Sequence, residues 1–324
     1  MKVSVDELQS KVLAGVKKLG YEGGDAQTIA EVLLYAQLRG NNQGITKIAT
    51  GGVPNVADIK PYQVVTKNKC AALISGGHGM VATGNAVKLA TELANEHGVG
   101  IVGSNHVFSS SGAIGYFARK IADAGYIGLV CVGTIPFVAP TGSAEPKLGT
   151  NPLSYAFPTS SGSVVFDTAT AAMAYFGVVE AKLNGEVLPE GVAFDSDGNP
   201  TTDAAKALDG SVTTFARHKG FGLSLLVQLL GGPFVAAGFA GLHADNGSGT
   251  FVLAIDPGLL VGTDAFAKTA DELTQEILAA KPLPGQEVQL PGARGDQLTQ
   301  QAKDSGQIEI ADAIWAELTA FVEK

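Results

Sequence analysis

Cysteine is almost absent from this chain: there are two, Cys70 and Cys131, each inside an apolar strand-like run. Such residues read as buried small hydrophobes, not as a disulfide or a reactive thiol, and a cytoplasmic location is expected. Charge is also scarce, at 16% of residues, and the 22 basic residues form no cluster against 31 acidic ones. A formal net charge of −9 without a basic patch argues against nucleic acid and anionic membrane as partners. It does not argue against an anionic substrate, because one local cation overrides a diffuse negative field. Metal-ligand spacing is missing: Asp195, Asp197 and Asp203 lie scattered among turn residues. The adjacent serines Ser109, Ser110 and Ser111 lack the G-x-S-x-G elbow of a hydrolase nucleophile and read as turn material.

A bilayer-length apolar helix is missing as well. Residues 124–144 and 221–244 carry no charged side chain, but Gly125, Gly128, Gly133, Pro136 and Pro140 break the first and Gly231, Gly232 and Pro233 the second. Neither leaves the roughly 20 helical residues a span requires, so both read as core. The opening MKVSVDELQSKV is amphipathic and charged, without the apolar centre of a signal peptide.

What is present is material for a large core: 324 residues, 45% of them hydrophobic, with 42 glycines for tight turns and close backbone approaches. Ser4-x-x-Glu7 is a capping box, and Leu8, Val12, Val16 and Leu19 follow at helical spacing before Gly20. A second helix carries Ile29, Val32, Leu33 and Ala36 and runs out at Arg39-Gly40. From residue 70 the pattern turns to α/β. Strands are expected at 70–75, 99–103, 127–132, 153–157, 164–167 and 251–255, with helices at 80–97, 114–124, 169–181 and 222–230, the last of them buried. Asn184-Gly185 is a hairpin-turn signal, and Thr269-x-x-Glu272 reads as the cap of a helix holding Leu273, Ile277 and Leu278. A last helix carries Ile314, Trp315, Leu318 and Phe321. The expected organisation is a helical domain from both chain ends, residues 1–67 with 268–324, around an α/β catalytic domain, residues 68–267.

Gly77-x-Gly79-x-x-Ala82 follows a strand and opens a helix, as a dinucleotide fingerprint does. In a Rossmann domain the next strand ends in a carboxylate for the ribose hydroxyls. Here it ends in Ser104-Asn105-His106, which argues against that fold. His106 at a strand end is a candidate catalyst; a structural histidine is the alternative. Its company favours chemistry: Gly149-Thr150-Asn151-Pro152 offers a hydroxyl, a carboxamide and backbone donors, and Asp167 ends another strand. Asp167 alternatively caps the helix expected at 169–181. His218-Lys219-Gly220 places a cation and a glycine at a helix start, a candidate phosphate site. His78 and His97 read as surface or turn residues.

Taken together, SNH (residues 104–106), GAIGYFA (112–118), VAPTGSAEPKLGTNP (138–152), VVFDTAT (164–170), HKGFGLSLLVQLLGG (218–232) and AIDP (254–257) resemble the malate/lactate dehydrogenase type 2 family, over nearly the whole chain. The resemblance implies a non-Rossmann mixed-sheet nicotinamide domain beside a terminal helical domain, a homodimer, and NAD or NADP as cofactor. It implies hydride transfer on a small 2-hydroxy, 2-oxo or 2-imino acid, with His106 as general acid/base. Ser104, Gly149, Thr150, Asn151, Pro152, His218, Lys219 and Gly220 would then lie at the cofactor, and Asp167 would orient or polarise. The chain departs from the family where R-G, a short spacer and S-H-G-x-x-R are usual. It reads Arg39-Gly40-Asn41-Asn42-Gln43-Gly44-Ile45-Thr46-Lys47, which puts Gln43 at the histidine and Lys47 at the substrate arginine. Lys47 neutralises a carboxylate as a point charge without the guanidinium fork, unless it is a solvated helix-end lysine. A non-catalytic binding homologue is the competing reading.

Overall fold

The computed structural model describes residues 1–41 and 43–324. The chain opens with β1 (Lys2–Ser4), α1 (Val5–Lys18), α2 (Gly23–Leu38), the single turn α3 (Thr46–Ala49) and β2 (Gln63–Lys67). The central α/β run is β3 (Ala71–Ser75), α4 (Gly79–His97), β4 (Val99–Val107), α5 (Gly115–Asp123), β5 (Ile127–Gly133), β6 (Leu153–Thr159) and β7 (Gly162–Thr168). A smaller lobe adds α6 (Tyr175–Asn184), β8 (Ala193–Phe194), α7 (Ala204–Asp209) and β9 (Ser211–Val212), after which α8 (His218–Gly231) and β10 (Ser248–Ile255) return to the sheet. The end is helical: α9 (Gly258–Val261), α10 (Thr263–Leu278), α11 (Ala293–Ser305), β11 (Gln307–Glu309) and α12 (Asp312–Glu323).

The main sheet has seven strands in the order β2-β3-β4-β10-β5-β6-β7. Only β3 and β4 run parallel, joined across α4; the remaining neighbours are antiparallel. It is a mixed sheet and not the doubly wound parallel one. The glycine fingerprint explains itself locally. A Cβ on Gly79 would lie 2.6 Å from the Ser110 carbonyl oxygen, and the Gly79 N–H is already taken by Ser109 Oγ at 2.7 Å. The start of α4 is therefore packed against its own chain where a Rossmann pyrophosphate would sit.

Ser4 caps α1 as its spacing requires, accepting from the Glu7 N–H at 3.1 Å. The apolar faces of α1 and α2 (Leu8, Val12, Val16, Ile29, Leu33) are fully buried in one core that continues through α4, α5 and the sheet to Trp315 and Leu318. Each such side chain contributes roughly 1.5–3 kcal/mol on burial. The two ends of the chain meet: β1 pairs antiparallel with β11, and the N-terminal amine sits 2.7 Å from Asp312 Oδ1. A second core, with Phe137, Val178, Leu188 and Val212, belongs to the smaller lobe.

Several local expectations change. The helix expected at 169–181 begins six residues later, and the residues before it line a cleft instead. Gly185 is not a hairpin residue; at φ +67° it is the left-handed C-cap of α6. Thr269 lies inside α10, where its hydroxyl donates back to the Ala265 carbonyl at 2.9 Å, so it is no cap. The helix expected to be buried at 222–230 keeps Leu225, Leu226 and Leu229 exposed, because only one side of α8 meets β5 and β10. Among the described residues no helix is long and apolar enough to cross a membrane.

Candidate active site

Between the large core and the smaller lobe lies a cleft of about 680 Å³, within the usual range for a small-molecule site. Its walls come from the turn after α2, the segment joining β4 to α5, the loops after β5 and β7, the first turn of α6 and the loop before β10. These are mostly strand ends and loops, where backbone direction can change without breaking the ladder.

Lys47 is among the largest fully buried side chains of the described residues. It sits on α3, a turn short enough to tuck beneath the cleft floor. Its Nζ lies 3.2 Å from the centre of the Phe176 ring, which reaches across from α6, and it has no hydrogen-bond partner among the described residues. Gly52 makes the fit possible: a Cβ there would stand 2.8 Å from Lys47 Cβ and 2.9 Å from Phe176 Cζ. Burial holds the amine well below the ordinary lysine range, and Glu180 partly offsets this. Glu180 is held in turn by Thr46 Oγ1 at 3.0 Å, a second contact between α3 and α6. His78 is not a surface residue. It is 2% exposed, accepts the Met80 N–H on Nδ1 at 3.3 Å, and is pushed down to about 4 by burial and then by Lys47.

Asp167 is the penultimate residue of β7 and also lines the cleft. It caps no helix of its own strand; Oδ2 accepts the N–H of Gly115, in the first turn of α5, at 2.8 Å. Burial pushes its carboxyl up to about 6, while the Gly115 hydrogen bond and Arg39 act the other way. Asp167 and Asn41 are shared with a second cavity of about 430 Å³, lined also by Tyr35 and Arg39. Arg39 itself is engaged, with Asp296 Oδ1 at 2.5 Å and the Gly292 carbonyl at 2.7 Å.

His106 stands apart from this arrangement. β4 does not stop at Gly103 but continues through His106 to Val107, and its pairing with β10 slips between Ser248/Val107 and Thr250/Ser104. This bulge puts His106 at φ +54° and leaves it exposed, with Nδ1 2.8 Å from Asn105 Oδ1 and 3.2 Å from Ser75 Oγ. Val107 and Phe108 line the cleft; His106 does not. Among the described residues no histidine lines it.

The other expected site residues divide in two. Gln43, Thr150 and Pro152 reach the cleft, and the Gln43 N–H is held by Asn41 Oδ1 at 2.9 Å. Asn42, next to it, lies outside the described residues. Ser104 is fully buried inside β4 and does not line the cleft. Asn151 is a buried brace at φ +40°: Nδ2 donates to Ser224 O and Oγ at 3.1 Å and to Gln228 Oε1 at 3.0 Å, while Oδ1 accepts from Thr134 N. Gly149 serves the same packing, since a Cβ there would lie 2.0 Å from Thr134 Oγ1. His218 and Lys219 are exposed in the first turn of α8, and Gly220 packs on the Phe215 carbonyl; none of the three lines the cleft. Sequence reading missed Phe176, Tyr175, Phe137 and Glu180. The only available signal was the Tyr175-Phe176 pair, which reads equally well as core.

The fold and the cleft thus define a mixed-sheet α/β protein in which a carboxyl and a buried amine stand at the wall of one cleft. Residues 3–319 match the malate/L-lactate dehydrogenase family, and the chain belongs to it. Malate/(S)-sulfolactate dehydrogenase of Methanothermus fervidus is 34% identical over 314 residues, covering 91% of this chain and 89% of that protein. Ureidoglycolate dehydrogenase of Escherichia coli O157:H7 is 32% identical, covering 97% and 94%. The solved sulfolactate dehydrogenase of Methanocaldococcus jannaschii superposes with a TM-score of 0.82 at 30% identity, covering 100% of this chain and 97% of that one. The family is one of oxidoreductases.

Proposed function

We propose that the protein is an NAD- or NADP-dependent dehydrogenase or reductase of a small 2-hydroxy, 2-oxo or 2-imino acid. The observation that carries this reading is the placement of Lys47 and Asp167 on one cleft in a chain of this family. Bound nicotinamide would supply or accept the hydride. The cleft suits it: Pro152 and Ile135 offer flat apolar walls, and Thr134 and Thr150 offer neutral hydroxyls beside them. Lys47 receives the substrate carboxylate, gaining the hydrogen-bonded anion it lacks in the free protein. Asp167 takes the place proposed for His106 from sequence. It gives a proton to the substrate oxygen or nitrogen on reduction and takes one back on oxidation. A carboxyl near 6 divides its time between the two forms close to neutral pH, as a general acid/base must. Gln43 orients the substrate by hydrogen bonding, without titrating.

The competing reading, a homologue that binds but does not turn over, is favoured by one feature: the Phe176 ring caps the amine that should meet the substrate. Fluorescence titration with NADH and NADPH, followed by 2-oxo acids with and without ammonium, separates the two. Cofactor oxidation with any of these acids supports the dehydrogenase; binding of neither cofactor refutes it. A cytoplasmic homodimer belongs to the same proposal, with the open leucine row of α8 as the face a second copy would bury. Light scattering should report twice the 33.0 kDa chain mass, and a monomer there would refute the dimer.

A further inference from the structure

Lys47 is the only cation that lines the cleft among the described residues; no arginine or histidine reaches it. Its lining is instead rich in large apolar side chains. From Phe176 over the amine, the wall continues through Tyr175 (ring centres 5.5 Å apart) to Phe137 (a further 5.0 Å). Phe239, Ile135 and Leu242 also line the cleft, and the last two are 71% and 58% exposed at its mouth. Besides Lys47, the charge-bearing side chain that lines the cleft among the described residues is Asp167, a carboxyl that cannot neutralise an anion. Ser109 Oγ and Ser110 Oγ accept from Gly79 N and Gly112 N, and the O–H groups they keep are neutral donors that bring no positive charge. A substrate with one acid group has a partner here. A second acid group would be desolvated against aromatic rings with nothing to neutralise it.

We propose that the substrate is a monocarboxylic 2-oxo, 2-hydroxy or 2-imino acid with a branched or aromatic apolar side chain. Its carboxylate replaces the Phe176 ring at Lys47, and its side chain lies along the shelf of Tyr175 and Phe137. Acids with a second negative group are selected against, because the described cleft lining offers no second cation to neutralise it. This sharpens the dehydrogenase reading and rests on it for the chemistry, though not for the selectivity of the cleft.

The test compares phenylpyruvate and 4-methyl-2-oxopentanoate with oxaloacetate and sulfopyruvate, using NADH and NADPH, on the full-length protein. The expected kcat/KM for the apolar acids is at least 100-fold higher. Ile135→Arg, which adds a cation at an exposed position of the mouth, should narrow that ratio at least tenfold by improving oxaloacetate. Calorimetric titration with phenylpyruvate and with oxaloacetate, with and without NAD+, reads the cleft independently of turnover. Preferential binding of phenylpyruvate without turnover by any acid would refute the redox reading and support the selectivity. Equal or better use or binding of oxaloacetate or sulfopyruvate, or binding of neither acid, would overturn the proposal.

Discussion

Asp167→Asn removes a charge that burial has made costly while keeping an acceptor for the Gly115 N–H at 2.8 Å. The folded protein holds this carboxyl at about 6 against an ordinary 3.8. Between those pH values the folded state keeps a proton that the unfolded chain has released, so stability falls as pH rises from about 4 to about 6. Above that window the charge costs the fold at most about 3 kcal/mol, and water in the cleft screens this to about 1–2 kcal/mol. Asparagine carries no such cost. Urea unfolding should therefore show the variant more stable than the parent by about 1–2 kcal/mol at pH 8, with the difference vanishing at pH 4. Turnover should move oppositely, falling roughly 10²–10⁴-fold as the proton-transfer group is lost. A variant no more stable at pH 8 would refute the burial argument. One that kept its kcat would refute the catalytic role.

Other substitutions separate the remaining roles. Lys47→Met should raise KM for the acid roughly 10–100-fold, the loss of a charged contact, with a much smaller change in kcat; steady-state kinetics decide it, and an unchanged KM would move the carboxylate site elsewhere. His106→Gln should leave kcat within about threefold, because the side chain lies outside the cleft; abolished turnover in a folded variant would restore the histidine to the mechanism. Gly79→Ala forces a Cβ against the Ser110 carbonyl oxygen and should cost about 1–3 kcal/mol in thermal or urea unfolding; no loss would mean that the segment between β4 and α5 yields freely.

The parts of this protein legible in one dimension are those decided by neighbours along the chain. The Ser4 cap, the stop at Gly20 and the start of α4 rest on local hydrogen bonds and backbone preference. The missing strand-end carboxylate likewise excluded a Rossmann domain, as the mixed sheet shows. Family membership was legible because several motifs occur in order along nearly the whole chain. The composition of the cleft was not. A bulge in β4, set by pairing with β10 about 145 residues away, leaves His106 exposed at φ +54° while its neighbours Val107 and Phe108 line the cleft. Lys47 looked like a possible solvated lysine, and only α6 folding back over α3 encloses it beneath Phe176. Asp167 looked like a cap for the helix after it, yet its partner is Gly115 on another element. Burial and charge pairing depend on which distant surfaces meet, and in this chain those meetings decide which of the expected residues reach the cleft.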